Sequence, residues 1–556
     1  MKNTDKEKKT IKGFVIAGTG SNSGKTTVSL GIMAYLTALG YRVAPFKIGP
    51  DFIDPGHHST LTGSVSRNLD SWMLSREYNQ QVFAAGTDQA DIAVVEGVMG
   101  LFDGYSGQSE AGSTAEMAKW LGLPVVLVVN ARSMARSAAA VVQGFQNFDR
   151  DLSFAGVIFN KTGSDTHYQY LKEAVLDTCT IKPLGCLPRN EKIKLPSRHL
   201  GLVMPDEFFL SPGSTAELVS MIDRHTRIKD MVHDLAHIPK ADPVKTAGDT
   251  QTMPYIQCSA APSRSFRPLP CHAGSPVIAV ARDKAFCFYY QDNIDCLKKN
   301  GADIVFFSPL EDTGLPENIH GIYLGGGYPE LFARQISGHT SLLKEIKTCS
   351  DAGMPIYGEC GGFMLLCRDI TDMEEKQKFP MAGCFPYSVK MSKKRRTLGY
   401  REITLTKDTI IGRKNDVIRG HEFHYSFLEN MADQADAAGS KKLHSTKHFS
   451  SENPNPLEKQ TSPETDNLSG NHNPPGKPDT VEKHSPGDQN ISNVYLTTQR
   501  NGQTVQVKGY ERFNTLGSYL HIHFGSMAET GRQFVKRAKA FKNRKKAVFT
   551  ENNTQP

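Results

Sequence analysis

Gly18-Thr19-Gly20-Ser21-Asn22-Ser23-Gly24-Lys25-Thr26-Thr27 follows an apolar run from Gly13 to Ala17 and leads into a helical pattern from Val28 to Leu39. Strand, glycine-rich turn and helix in that order aim backbone N–H groups at a phosphate, and the helix N-terminus adds a favourable field. Lys25 can reach the terminal phosphates of a nucleotide, and the Thr26 hydroxyl can hold Mg²⁺. The first glycine stands at Gly18, one residue earlier than the strict P-loop pattern has it. The candidate nucleotide ligands in this stretch are Gly20, Ser23, Gly24, Lys25, Thr26 and Thr27. A flexible Gly/Ser turn would leave Lys25-Thr26-Thr27 at the start of a helix unexplained.

Outward from this turn, short apolar runs alternate with helical patterns as far as about Asp223. Candidate strands are Phe14–Ala17, Val43–Ile48, Ile92–Glu96, Val125–Asn130 and Ala155–Asn160. Each is nearly all apolar, which suits a parallel sheet covered on both faces, so a doubly wound α/β domain is expected. Ligands of such sheets bind beyond the carboxyl ends of the strands. There stand Lys47 and Asp51, with Asp54 close behind, and Glu96. An acidic residue near a P-loop is a natural Mg²⁺ ligand, directly or through water, which makes Asp51 and Glu96 metal candidates with Thr26. Asp54 precedes Pro55 and reads equally well as a turn residue. Lys47 is a candidate second cation for phosphate charge.

From Ile238 to Ser275 six prolines punctuate a polar stretch without periodicity, the composition of a linker. A second α/β pattern opens at Val277, with strands expected at Ile278–Ala281, Asp303–Phe307 and Gly321–Leu324 and a helix from Phe288 to Asn300. Met354-Pro355-Ile356-Tyr357 then runs into Gly358-Glu359-Cys360-Gly361-Gly362 and an apolar helix from Phe363. A cysteine on a tight strand-to-helix turn is a nucleophile elbow, with the helix N-terminus expected to lower its pKa and the turn to expose its sulfur. The turn Gly325–Gly327 can supply N–H donors to an oxyanion. Four histidines can serve as base: His421 and His424, and His521 and His523, which alternation places on one strand face. The residues by themselves do not select among them. No histidine or cysteine spacing matches a structural zinc site.

Between about 430 and 493 the chain turns to Ser, Asn, Pro and charged residues with few aromatics, a composition expected of a disordered surface insertion. The tail from Phe534 to Phe549 reads as a solvated basic helix. The 556 residues amount to about three or four domains' worth of chain. A formal charge of +7, much of it in that tail, does not suggest a nucleic-acid binder. The polar start and the lack of a long apolar run suggest neither signal nor membrane span. Ten scattered cysteines without a CxxC pair fit a cytoplasmic chain of free thiols.

Several long phrases, in one order, resemble the cobyrinic acid a,c-diamide synthase family. They are Pro45–Gly56, Arg67–Leu74, Glu96–Gly104, Leu195–Leu202, Ala285–Tyr290, Leu324–Leu331, Gly358–Gly362 and Gly420–Ser426. Residues 1–10 are a polar extension by composition, and the resemblance implies 11–237 as a P-loop synthetase domain of dethiobiotin-synthetase type. It implies a class I glutamine amidotransferase domain at 276–527; the linker at 238–275 and the insertion near 430–493, read from composition, are not expected of the family core, and 528–556 is a basic tail. By the same resemblance Cys360 attacks glutamine with His521 assisting, and Gly326, Gly327 and Gly361 form the oxyanion and glutamine pocket. The synthetase half is expected to use ATP with Mg²⁺, with Lys47 among its nucleotide ligands. By the resemblance it is expected to phosphorylate the a and c acetate carboxylates of a tetrapyrrole before ammonia displaces the phosphate. Relatives act on cobyrinate, hydrogenobyrinate, sirohydrochlorin with or without nickel, or sirohaem. The expected partners are therefore a tetrapyrrole polycarboxylate, ATP and glutamine, with a homodimer as the candidate assembly. A P-loop regulatory protein and an amidase for another polycarboxylate are the rivals. The Cys360 elbow argues against the first, and the Leu195–Leu202 and Ala285–Tyr290 phrases against the second.

Overall fold

The computed structural model describes residues 10–190, 210–239, 274–372, 377–392, 397–429 and 491–552, with side chains to 545. The Leu195–Leu202 phrase, most of the expected linker (240–273) and most of the expected insertion (430–490) lie outside the described residues.

The N-terminal half is one sheet in the order Arg67–Leu69, Val43–Ile48, Ile92–Glu96, Thr10–Gly18, Val125–Asn130, Phe154–Thr162, Pro183–Pro188. All neighbours in that order are parallel. Alternate residues of the central strand serve opposite cores. Val15 and Ala17 pack with Ala44, Phe46 and Leu127, whereas Phe14 and Ile16 pack with Val28, Ile32 and Val126. Both faces are covered, which is why these strands read as unbroken apolar runs. Three edge strands escaped the sequence pattern: Arg67–Leu69 and Ile238–Pro239 are too short, and Pro183–Pro188 opens and closes on proline. Ile238–Pro239 pairs antiparallel with Thr10–Ile11, so the first residues of the expected linker belong to the sheet.

The C-terminal half has a seven-stranded sheet in the order Asp303–Phe307, Val277–Ala281, Gly321–Leu324, Ile356–Glu359, Thr515–Ser518, Tyr510–Arg512, Ser492–Asn493. Two smaller sheets flank it, and one of them carries Thr397–Leu405, Val417–His424 and Leu520–Ile522. The expected solvated tail is different. A helix Glu529–Asn552 buries Phe534, Val535 and Ala538 against Ile278, Val280, Ile294 and Leu297, because its first turns carry an apolar stripe before the lysines begin. Among the described residues no helix is long and apolar enough to cross a membrane, and the eight described cysteines are free thiols.

Candidate active site

The turn after the first strand is built by steric necessity. Gly24 has φ +91°, and a Cβ there would meet the Asn160 amide at 1.9 Å. The same amide donates to the Ser23 carbonyl at 2.9 Å. The buried Ser23 hydroxyl has no partner. Lys25, at the first position of helix Lys25–Ala38, donates to the carbonyls of Gly20 (3.3 Å) and Met99. Burial lowers its pKa, and the neighbouring Lys47 adds to that. An orphaned hydroxyl, a backbone cradle closed to side chains and an ammonium held only by carbonyls fit a nucleotide's phosphates. Thr27 follows Thr26 into the helix, half-buried.

Three strand ends converge beside this cradle. Ile16 is the register partner of Glu96, and Glu96 of Lys47. The Thr26 hydroxyl donates to Glu96 Oε1 at 2.7 Å, and His58 Nε2 lies 2.7 Å from Oε2. Lys47 Nζ sits between Asp54 (2.6 Å) and Glu96 (2.9 Å). Burial pulls the Lys47 pKa down, but Asp54 and Glu96 more than offset this and hold it above its usual value. Burial likewise pushes Glu96 up, while Lys47 and His58 outweigh it and hold the carboxylate well below its usual range. Lys47 is therefore turned to carboxylates where sequence reading had it facing phosphate. Asp54 is its ion-pair partner as well as a residue before proline. Asp51 Oδ1 accepts the N–H groups of Ile53 (2.8 Å) and Asp54 (3.2 Å), a capping role. A hydroxyl and a carboxylate in contact, with another carboxylate on the next loop, are hard oxygen donors of the kind Mg²⁺ takes, so Thr26, Glu96 and Asp51 fit that ion.

In the second half, Cys360 has φ +47° and ψ −103° between the strand Ile356–Glu359 and the helix Gly361–Leu366. Positive φ in a non-glycine residue is a strained turn of the nucleophile-elbow kind. Two expectations are corrected here. The sulfur is buried, 3.9 Å from the Phe423 carbonyl. Its pKa is raised, first by burial and then by the Glu330 charge, which together outweigh the N–H bond it accepts from Gly361. The glycine turn packs on the same place. A Cβ on Gly361 would meet the Gly327 nitrogen at 3.1 Å, and one on Gly326 would meet His521 Cε1 at 2.2 Å. The Gly326 N–H already donates to the Phe288 carbonyl at 3.1 Å. Gly326 thus makes room for the imidazole and is not a free oxyanion donor.

The four histidines divide by environment. His424 bonds Glu422 (2.8 Å) and the Ser426 carbonyl (2.8 Å) and stacks on Tyr519. His421 accepts or donates a bond with the Tyr290 hydroxyl at 2.9 Å. His523 Nδ1 accepts the Gly525 N–H at 3.0 Å. His521 lies parallel to His421, ring centres 4.9 Å apart, with its Nδ1 unpartnered. Against both rings lies Phe52 of the N-terminal half, 5.2 Å from His521 and 5.5 Å from His421, also stacking on Phe288 at 5.3 Å. The loop that carries Asp51 and Asp54 therefore reaches the glutaminase-type site through Phe52.

Residues 14–203 match the family model described as a CobQ/CobB/MinD/ParA nucleotide binding domain, and residues 277–460 match that of the CobB/CobQ-like glutamine amidotransferase domain. Cobyrinate a,c-diamide synthase of Dehalococcoides mccartyi is 41% identical over 415 residues, 75% of this chain and 86% of that protein. The chain belongs to the cobyrinate a,c-diamide synthase family. The family's protein from Salmonella typhimurium is 41% identical over 413 residues, 74% of this chain and 85% of its own. The protein from Priestia megaterium is 34% identical over 542 residues, covering 96% of this chain and 98% of its own. The chain is accordingly a glutamine-dependent amidotransferase with a P-loop nucleotide-binding half.

Several residues placed at these sites were passed over by sequence reading. His58 stands two residues beyond the Pro45–Gly56 phrase, but nothing local marks it as a partner of Glu96. Asn160 closes the P-loop from a strand end 136 positions beyond Gly24, with no motif around it. Phe52 is one of 28 phenylalanines, distinguished only by acidic neighbours.

Proposed function

We propose that this chain converts cobyrinate to cobyrinate a,c-diamide, taking nitrogen from glutamine and energy from ATP. The observation that carries the reading is the shared loop. Asp54 stands beside Lys47 and Glu96 at the P-loop, while Phe52 lies on His521 beside the Cys360 elbow. Phe52 and Asp54 stand two positions apart, so one short segment borders both sites, which suits a reaction in which one makes ammonia and the other consumes it.

At the first site Cys360 Sγ attacks the side-chain carbonyl carbon of glutamine, and Gly327 and Gly361 offer amides to the oxyanion. Burial raises the thiol pKa and lowers that of His521 to about 3, so the resting pair is thiol and neutral imidazole. The thiol proton moves to His521 as the carbon–sulfur bond forms and then to the departing nitrogen, which leaves as ammonia. Water cleaves the thioester, returning the proton to sulfur and releasing glutamate.

At the second site an acetate carboxylate takes the γ-phosphoryl group of ATP, giving ADP and an acyl phosphate. Ammonia attacks its carbonyl carbon and phosphate leaves. Lys25 and the backbone cradle bind the phosphates, and Lys47 fixes Glu96 and Asp54. Mg²⁺, held by Thr26, Glu96 and Asp51, would neutralise phosphoryl charge. The buried aromatic contact around Phe52 keeps ammonia from bulk water on its way between the sites. Cobyrinate as substrate rests on the relatives' names.

The test is mass spectrometry after incubation with Mg-ATP, glutamine and, in parallel, cobyrinate, hydrogenobyrinate, sirohydrochlorin with and without nickel, and sirohaem. Formation of the cobyrinate diamide is expected; exclusive amidation of another macrocycle would reassign the substrate. Cys360→Ala is expected to abolish glutamine-dependent product and retain that formed from free ammonia.

A further inference from the structure

We infer that Glu359, the residue immediately before the nucleophile, is the carboxyl group that positions the His521 imidazole, a task that many glutaminases give to an acidic residue following the histidine. The inference rests on Cys360 and His521 being the glutaminase pair. His521 Nδ1 is buried without a hydrogen-bond partner, and the nearest acidic oxygen is Glu359 Oε2 at 3.9 Å. Side-chain exposure is 3% for His521 and 2% for Glu359, so no solvent separates them.

The carboxyl is fixed from the other side. Oε1 accepts the N–H of Ile522, the residue after His521, at 3.2 Å, and Oε2 accepts the Tyr323 hydroxyl at 3.1 Å. The first bond ties the histidine's strand to the end of the nucleophile's strand. The backbone brings the three residues close: Glu359 precedes Cys360, and Cys360 N–H bonds the Ser518 carbonyl at 2.8 Å, three residues before His521.

Among the described residues no lysine or arginine pairs with Glu359. Burial raises its pKa to about 8, against the pull of its hydrogen-bond donors. A buried carboxyl without a cation costs stability, and groups so placed concentrate at functional sites. Its task at His521 is a defined one. A carboxyl oxygen accepting Nδ1–H, in the neutral acid or in the carboxylate, selects the tautomer with Nε2 free to take the thiol proton, and it stabilises the imidazolium once formed. Closing the 3.9 Å gap to hydrogen-bond length takes a shift of about 1 Å, and catalytic hydrogen bonds often tighten only when substrate is bound. Tyr289, Tyr357 and Tyr495 also face Glu359, and His421, His424 and the Phe52 ring face His521. None of these supplies a carboxylate.

The test compares Glu359→Gln with His521→Ala and wild type in glutamine hydrolysis, in amidation supported by free ammonia, and in the pH dependence of Cys360 inactivation by 6-diazo-5-oxo-norleucine. Expected for Glu359→Gln are a fall of about 10²- to 10⁴-fold in glutaminase kcat, a KM for glutamine within a few-fold of wild type, ammonia-supported synthesis retained, and an inactivation profile displaced by about one pH unit. Wild-type glutaminase kcat and an undisplaced profile in Glu359→Gln, with His521→Ala inactive, would overturn the inference while leaving the glutaminase pair standing. Activity surviving in His521→Ala would overturn both. Were Glu359→Gln not to fold, ¹⁵N-histidine spectra of wild type decide: His521 protonated on Nδ1 supports the inference, and protonation on Nε2 overturns it.

Discussion

His521 and His523 show what burial does to a titrating side chain. Desolvation lowers both to about 3, and it holds His421 well below its usual value. An unfolded histidine titrates near 6.5, so between about pH 6.5 and 3 the unfolded chain binds a proton that the folded one refuses. Stability therefore falls as pH drops through that window. His523→Asn isolates one such group, since the Asn oxygen can still accept the Gly525 N–H. The wild type is expected to lose about 1 kcal/mol more than this variant between pH 7 and pH 5.5 in urea unfolding. An equal loss in both proteins would mean that His523 is solvated enough to charge in place. Residues of this kind are hard to read from sequence: four histidines were visible as candidates, but their buried, partnered or orphaned states come from strands far apart in the chain.

At the scale of elements, the loop Gly49–Asp54 is the hinge of the whole design. It follows the strand Val43–Ile48, so Lys47 points into the sheet's active edge. Asp51 caps the helix Ile53–Thr62, and the cap turns Phe52 outward onto Phe288, Tyr290, His421 and His521. Truncating Phe52 removes ring contacts while leaving both carboxylates in place. For Phe52→Ala we expect ammonia to escape between the sites, with glutamate formed exceeding amide nitrogen incorporated by about twofold or more. Paired measurement of glutamate and diamide checks this, and an unchanged ratio would show that the ring does not confine ammonia. The central strands of the N-terminal sheet and the parallel strands of the C-terminal one were legible because they are short, mostly apolar runs. The short strands of the flanking sheets and the docking of the C-terminal helix were not, the former being too short for a pattern and the latter's apolar stripe sharing its sequence with a basic surface.

At the scale of the molecule, the two halves are locked by polar contacts that no local pattern announces. Arg67 reaches Asp292 at 2.6 Å and Asp295 at 2.7 Å. The Tyr400 hydroxyl bonds Asp70 at 2.5 Å, and Arg419 donates to the Trp72 carbonyl at 3.0 Å while lying over its ring. Burial raises the Asp292 pKa, and Arg67 works against that, so removing Arg67 leaves a buried carboxyl without its cation. Arg67→Ala is expected to cost about 3–5 kcal/mol in unfolding free energy. It is also expected to lower glutamine-dependent synthesis more than glutamine hydrolysis, because hydrolysis needs only one half. A melt identical to wild type would assign the docking to the aromatic contacts instead.

The sequence by itself determined what is local and periodic. Glycines, Lys25 and Thr26 between a strand and a helix specify a phosphate cradle because backbone N–H groups must point that way. Cys360 between apolar strand and glycines specifies an elbow. Apolar runs of strand length specify two sheets covered on both faces. Only the tertiary structure decided how charges and rings meet across the fold: Lys47 turned to Asp54 and Glu96, the Gly326 amide bonded to Phe288, the Cys360 thiol buried instead of activated by its short helix, and Glu359 set beside His521. The physical reason is the same in each case. Burial and pairing are fixed by neighbours tens to hundreds of residues away, and in a low-dielectric interior those neighbours outweigh the local signal.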